Sequence, residues 1–105
     1  MTDPNDSDLD EMRARILGET AQIGWNELLR QFAAGNTLFV APGLDLVEVA
    51  LQMQLDNTDQ VAVWLKAEQL CPVRDDQAQQ WHRQEESVWA CVVKPWVLVQ
   101  PGRRT

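Results

Sequence analysis

Apolar residues recur along this chain at two spacings, one helical and one extended, and the elements follow from where each begins and stops. Leu9, Met12, Ile16 and Leu17 fall at a helical spacing behind Ser7 or Asp8, either of which suits an N-cap. Gly18 weakens this helix, which is expected to end near Ala21. The clearest helical stripe follows: Trp25, Leu28, Leu29, Phe32 and Ala33 at i, i+3, i+4, i+7 and i+8, closed by Gly35. Thr37 to Val40 predicts a short strand ending at Ala41-Pro42-Gly43, where Pro42 and Gly43 suit the central positions of a type II turn. Asp45-Leu46-Val47-Glu48 resembles a capping box with an acid in the capping position, and opens a helix running to Met53 or Gln54.

Asp56 to Asp59 interrupts the pattern and offers several caps for a fourth helix, which buries Val61, Trp64 and Leu65, with the stem of Glu68, and ends near Gln69. Leu70 to Val73 is a brief extended piece. Asp75 or Asp76 then caps a polar helix, Gln77 to Glu86, whose apolar contacts reduce to Ala78, Trp81 and His82. Trp89 to Gln100 is the densest apolar run, with Lys94 its only charge; it is too short and too interrupted to cross a bilayer, and reads as buried β-structure. Lys94-Pro95 divides it. A two-residue hairpin there requires a cis bond, while one long strand with Pro95 at an unpaired edge position is equally consistent.

The pattern therefore predicts an α+β fold: about five helices on a small, mainly antiparallel sheet of three to four short strands, centred on 37–40, 88–93 and 96–99. Residues 8–100 form one domain, between a disordered acidic leader (1–7) and a disordered tail (101–105). Val88 to Val93 is apolar at almost every position, so both of its faces need cover. A two-layer fold supplies one; a helix or a second copy of the chain must supply the other.

Charge narrows the function. The formal net charge is −7, of which −5 falls on residues 1–11 and +2 on Arg103 and Arg104, leaving −4 on residues 12–100. The remaining arginines are scattered among acidic or polar neighbours, so no basic patch exists and nucleic-acid binding is not expected. The polar, acidic start lacks the cationic and then apolar segment of a secretory signal, so a cytoplasmic location is expected, with Cys71 and Cys91 reduced. Two cysteines and one histidine fall short of the four ligands of a closed zinc site. No cofactor and no membrane association are expected.

Several of these segments together resemble one family. Ile23-Gly24-Trp25-Asn26-Glu27-Leu28, Phe32-Ala33-Ala34-Gly35, Leu44-Asp45-Leu46-Val47-Glu48-Val49-Ala50 and Trp89 through Gln100, with Trp64 and Trp81, are similar to the pattern of an uncharacterised bacterial family catalogued as domain of unknown function 2288. The resemblance covers roughly residues 10–100, and the LDLVEVA and PWVLVQ blocks carry most of it. It implies one intact domain and brings no activity, cofactor or partner. Cys91 stands where the pattern favours an aliphatic residue, which argues against thiol chemistry.

Each candidate for chemistry competes with a plainer role. The five tryptophans suit an aromatic cage or a stacking platform, but Trp25, Trp64, Trp89 and Trp96 fall at core spacings. Trp81 stands apart, on a polar helix beside His82. Asp45 and Glu48, joined by Glu19 or Glu27, form the one visible carboxylate group, and helix capping already accounts for it. His82 with Cys71 or Cys91 matches no nucleophile signature, and the glycines are too isolated for a phosphate loop. The first expectation is thus a non-enzymatic protein acting by self-association, as a homodimer, or by binding a protein partner, with Trp81, Trp96 and Val97 near the contact. The alternative is a small-molecule or divalent-cation binder or enzyme with a pocket lined by Trp25, Asp45 and Glu48.

Overall fold

The computed structural model describes residues 6–102, with side chains from Asp8 onward. The chain runs α1 (Asp6–Glu19), β1 (Ala21–Gly24), a 3-10 turn (Trp25–Leu28), α2 (Leu29–Ala33), β2 (Thr37–Val40), α3 (Leu46–Gln54), α4 (Thr58–Lys66), β3 (Leu70–Pro72), α5 (Asp75–Arg83), β4 (Ser87–Val93) and β5 (Trp96–Pro101). The class is α+β, but the sheet is larger than the sequence predicted and not mainly antiparallel. It has five strands in the order β1-β4-β5-β2-β3, and β2 pairs parallel with β5. The three strands expected at its centre are there, flanked by β1 and β3. The expected leader and tail lie mostly outside the described residues, although α1 already takes in Asp6 and Ser7 and β5 extends to Pro101.

Strand alternation divides the core into two. Leu38, Val40, Leu70, Cys91 and Leu98 point to one face and pack with Ile16 of α1, with Leu46, Val49, Ala50 and Leu51 of α3, and with Trp64 of α4. Val88, Ala90, Val97 and Val99 point to the other and pack with Trp25, Leu28, Ala78 and Trp81. Helices thus cover both faces, and the second face of β4 is shielded by the 3-10 turn and α5. The cover stops short of the hairpin tip: β1 ends its register at Ala21 opposite Ala90, and Val92 beyond it is 57% exposed.

The sheet edges are short. Ala41 N–H donates to Gln69 C=O and Val73 N–H to Thr37 C=O, so along β3 the backbone of Leu70 and Pro72 faces outward. Pro72 has no N–H to offer there, which blunts this edge against further pairing. Lys94-Pro95 forms the two-residue turn of a β4–β5 hairpin through a cis bond, with Val93 opposite Trp96.

Four helices end in one way. After α2, α3, α4 and α5 the first residue past the C-cap takes a left-handed conformation: Gly35 (φ 79°), Asp56 (59°), Glu68 (60°) and Glu85 (49°). Each gives the paired hydrogen bonds of a Schellman motif, such as Asp56 N–H to Met53 C=O and Asn57 N–H to Gln52 C=O. Only one site uses glycine; three place an acid in a conformation that side chains resist. The 41–44 turn closes through Leu44 N–H to Ala41 C=O at 3.0 Å, but Gly43 has no positive φ, so it is not type II. Gln100 Nε2 donates to both Ala41 C=O and Leu44 C=O, tying this turn to β5.

Candidate functional site

Asp45 does cap α3: its carboxylate accepts from Val47 N–H at 3.0 Å and Glu48 N–H at 3.3 Å. Glu48 does not complete a capping box. It reaches to α1, accepting from Arg13 Nε at 3.0 Å, and within α3 from Gln52 Nε2 at 2.9 Å. The Arg13 bond, then the Gln52 bond, hold its carboxyl below the usual carboxylate range, against a smaller opposing effect of burial. Gln52 Oε1 in turn accepts from Asn57 Nδ2 at 2.8 Å, and Asn57 Oδ1 accepts from Gln60 N–H at the start of α4. A polar chain therefore links α1, α3 and α4, and both acids are occupied in holding helices.

Trp25 is fully buried on the opposite side of the sheet from α3, so the sheet itself separates it from Asp45 and Glu48. The structure does not assemble the pocket these three residues were expected to line. Among the described residues no group of three or more His, Cys, Asp and Glu is placed to hold a metal ion. Cys91 is buried beside Thr20, and burial raises its thiol pKa; Cys71 is half-buried, and both are free. His82 is exposed, its Nδ1 2.6 Å from Asn26 Oδ1.

The tryptophans divide sharply. Trp81 is 3% exposed, edge-to-face with Trp25 at 5.0 Å between ring centroids and stacked with Phe39 at 6.3 Å. Val97 is 5% exposed on the same face of the sheet. Both were placed near a contact surface by the sequence, and the structure puts both in the core. A polar helix can still dock through two side chains, and Ala78 and Trp81, three residues apart on α5, are those two. Trp25 keeps a cost: its indole N–H is buried without a hydrogen-bond partner.

Trp96 alone of the three expected contact residues reaches the surface, at 36% exposed. It belongs to the wall of a cleft of about 470 Å³ between the β4–β5 hairpin tip and the α3–α4 corner. Half-buried Met53, Val61 and Val93 make the cleft apolar, and Ala62 and Leu65, the latter 48% exposed, continue it toward solvent. Exposed Asp56, Asn57, Thr58 and Lys94 supply its polar lining. Leu65 was expected to be buried in α4; Trp64 takes the core side instead, and its neighbour is turned outward. The one early signal of the site was Trp96 at the end of an apolar run beside a charged turn.

The fold has a counterpart among solved structures. The chain is similar to the protein titled "NMR solution structure of PA1075 from Pseudomonas Aeruginosa", with 39% sequence identity, a TM-score of 0.76, and 99% of this chain and 93% of that chain covered. No curated protein matches it. The family model described as "Protein of unknown function (DUF2288)" matches residues 11–101. Its bounds run from the first helix through the last strand, and the chain belongs to the DUF2288 family.

Proposed function

We propose that this protein acts by protein–protein contact rather than catalysis, and that the contact is centred on the cleft between the hairpin tip and the α3–α4 corner. The observation that carries this reading is the exposure of both Trp96 and Leu65 in the lining of one largely apolar cleft. Tryptophan left at a surface is a favoured anchor for a partner, because it brings a large apolar area with little side-chain entropy to lose. The acids that would serve acid–base or metal chemistry are engaged elsewhere, Asp45 as a cap and Glu48 with Arg13 and Gln52. Among the described residues no helix is long and apolar enough to cross a membrane.

A photo-crosslinking residue placed at Ala62, on the cleft wall, tests this in the cells that make the protein. A protein-sized adduct is expected at Ala62 and not at Arg15, an exposed position on α1. Equal labelling at both positions, or no protein adduct at Ala62, overturns the reading.

A further inference from the structure

The polar lining of the cleft says what kind of chain fits it. Asp56 and Lys94 both line the cleft, and neither is ion-paired with any described residue. The cleft thus presents one acid and one base around an apolar centre, with a formal charge of zero, on a chain whose net charge is −7. The net charge of the chain opposes self-association in general, whereas the lining of this cleft carries no net charge. A patch that carries both signs is complementary to itself under a two-fold rotation, the symmetry most homodimers use. Resting on the protein-contact reading, we propose that the occupant is a second copy of this chain, docked about a two-fold axis so that Lys94 of each copy faces Asp56 of the other.

The apolar part accords with the same arrangement. Trp96 and Leu65 line one cleft, so a two-fold axis through it brings the exposed apolar groups of the two copies together. The interface is small. The cleft is lined by ten residues, against roughly 20–30 a side in an interface of standard size, so the dimer is expected to be weak and concentration-dependent.

Charge reversal separates this from any other partner. In a two-fold dimer Lys94→Asp places like charges together at both contacts, and so does Asp56→Lys. Mixing the two variants restores opposite charges at both contacts in the mixed dimer. A long side chain is tolerated in the left-handed conformation of Asp56, since Glu68 and Glu85 already adopt it at the ends of α4 and α5. Asp56→Asn, which suits that conformation better, gives an uncharged control.

Sedimentation velocity over a concentration series at low salt is the measurement. The wild-type mass should rise from that of the 12.0 kDa monomer toward twice that value. Each reversal should weaken association roughly tenfold or more, since two contacts turn from attractive to repulsive, and the equimolar mixture should recover it. Added salt should narrow these differences. A wild-type chain that stays monomeric throughout, or a mixture no tighter than either variant alone, overturns the proposal. A crosslink from Ala62 to a chain of another mass would overturn the second copy while leaving the protein-contact reading standing.

Discussion

Replacing an acid by glycine at the ends of α3, α4 and α5 should make this protein more stable, although it removes a side chain and adds no contact. Asp56, Glu68 and Glu85 each hold a positive φ, at 59°, 60° and 49°. A side chain in that region costs about 1–2 kcal/mol from the approach of Cβ to the following carbonyl. Glycine removes this cost and gives back roughly 0.5–1 kcal/mol through the greater freedom of the unfolded chain. The net gain is about 0.5–1 kcal/mol per site. Each acid also sits at the negative end of its helix, so its loss acts in the same direction. The three sites terminate different helices, and their effects should add to roughly 1.5–3 kcal/mol. For a domain of this size that raises the melting temperature by about 6–20 °C. Thermal unfolding followed by circular dichroism, for each variant and the triple, reads it directly. Unchanged or lowered melting temperatures would mean that these side chains make interactions worth more than the strain they bear. Gly35, in the same position after α2, sets the direction of the converse: Gly35→Ala should destabilise.

Two further substitutions check the assignment of residues to structure rather than to a site. Trp81→Ala should cost about 3–5 kcal/mol in urea unfolding, because it empties a position packed against Trp25 and Phe39; a loss no larger than that of Trp96→Ala would return Trp81 to the surface. Glu48→Gln should lower stability at neutral pH. Arg13 depresses the folded pKa of Glu48, so its contribution is fully present above the unfolded carboxyl pKa and is lost as pH falls through the folded one. The gap between wild type and variant should therefore be open at pH 7, begin to narrow as pH falls past the unfolded carboxyl pKa, and close only below the depressed folded one. A gap independent of pH would remove the ion pair as its cause.

Much of this architecture is legible in the residues, and the parts that are not share a cause. Caps and helical stripes act locally, so Asp45, the 56–59 break and the Gly35 stop mark helix ends on their own. The central strands announce themselves by length and apolarity. β1 does not: Ala-Gln-Ile-Gly has little intrinsic preference for a strand, and it is one because Ile23 and Ala21 pair with Val88 and Ala90. Parallel pairing of β2 with β5 joins residues some sixty positions apart, which no local signal records. Trp81 misleads for a similar reason. Its helix is polar all round except for Ala78, and only the aromatic wall formed by Trp25, Phe32 and Phe39 on the facing elements shows why it is buried. Trp96 is the converse. Its place in an apolar strand suggests core and its neighbours Lys94 and Pro95 suggest surface; the turn decides, leaving it in the wall of the cleft. Asp45 and Glu48 were legible as a local pair, but the partner of Glu48 lies on α1, thirty-five residues away.

Amide and indole resonances of the ¹⁵N-labelled chain, recorded over a concentration series, test together whether the Trp96 cleft is a contact surface and whether a second copy covers it. Shifts should grow with concentration and concentrate on Met53 to Leu65, Val93, Lys94 and the Trp96 indole N–H, with α5 and β3 unmoved. Spectra that do not change with concentration, or changes centred on α5, would contradict the proposal.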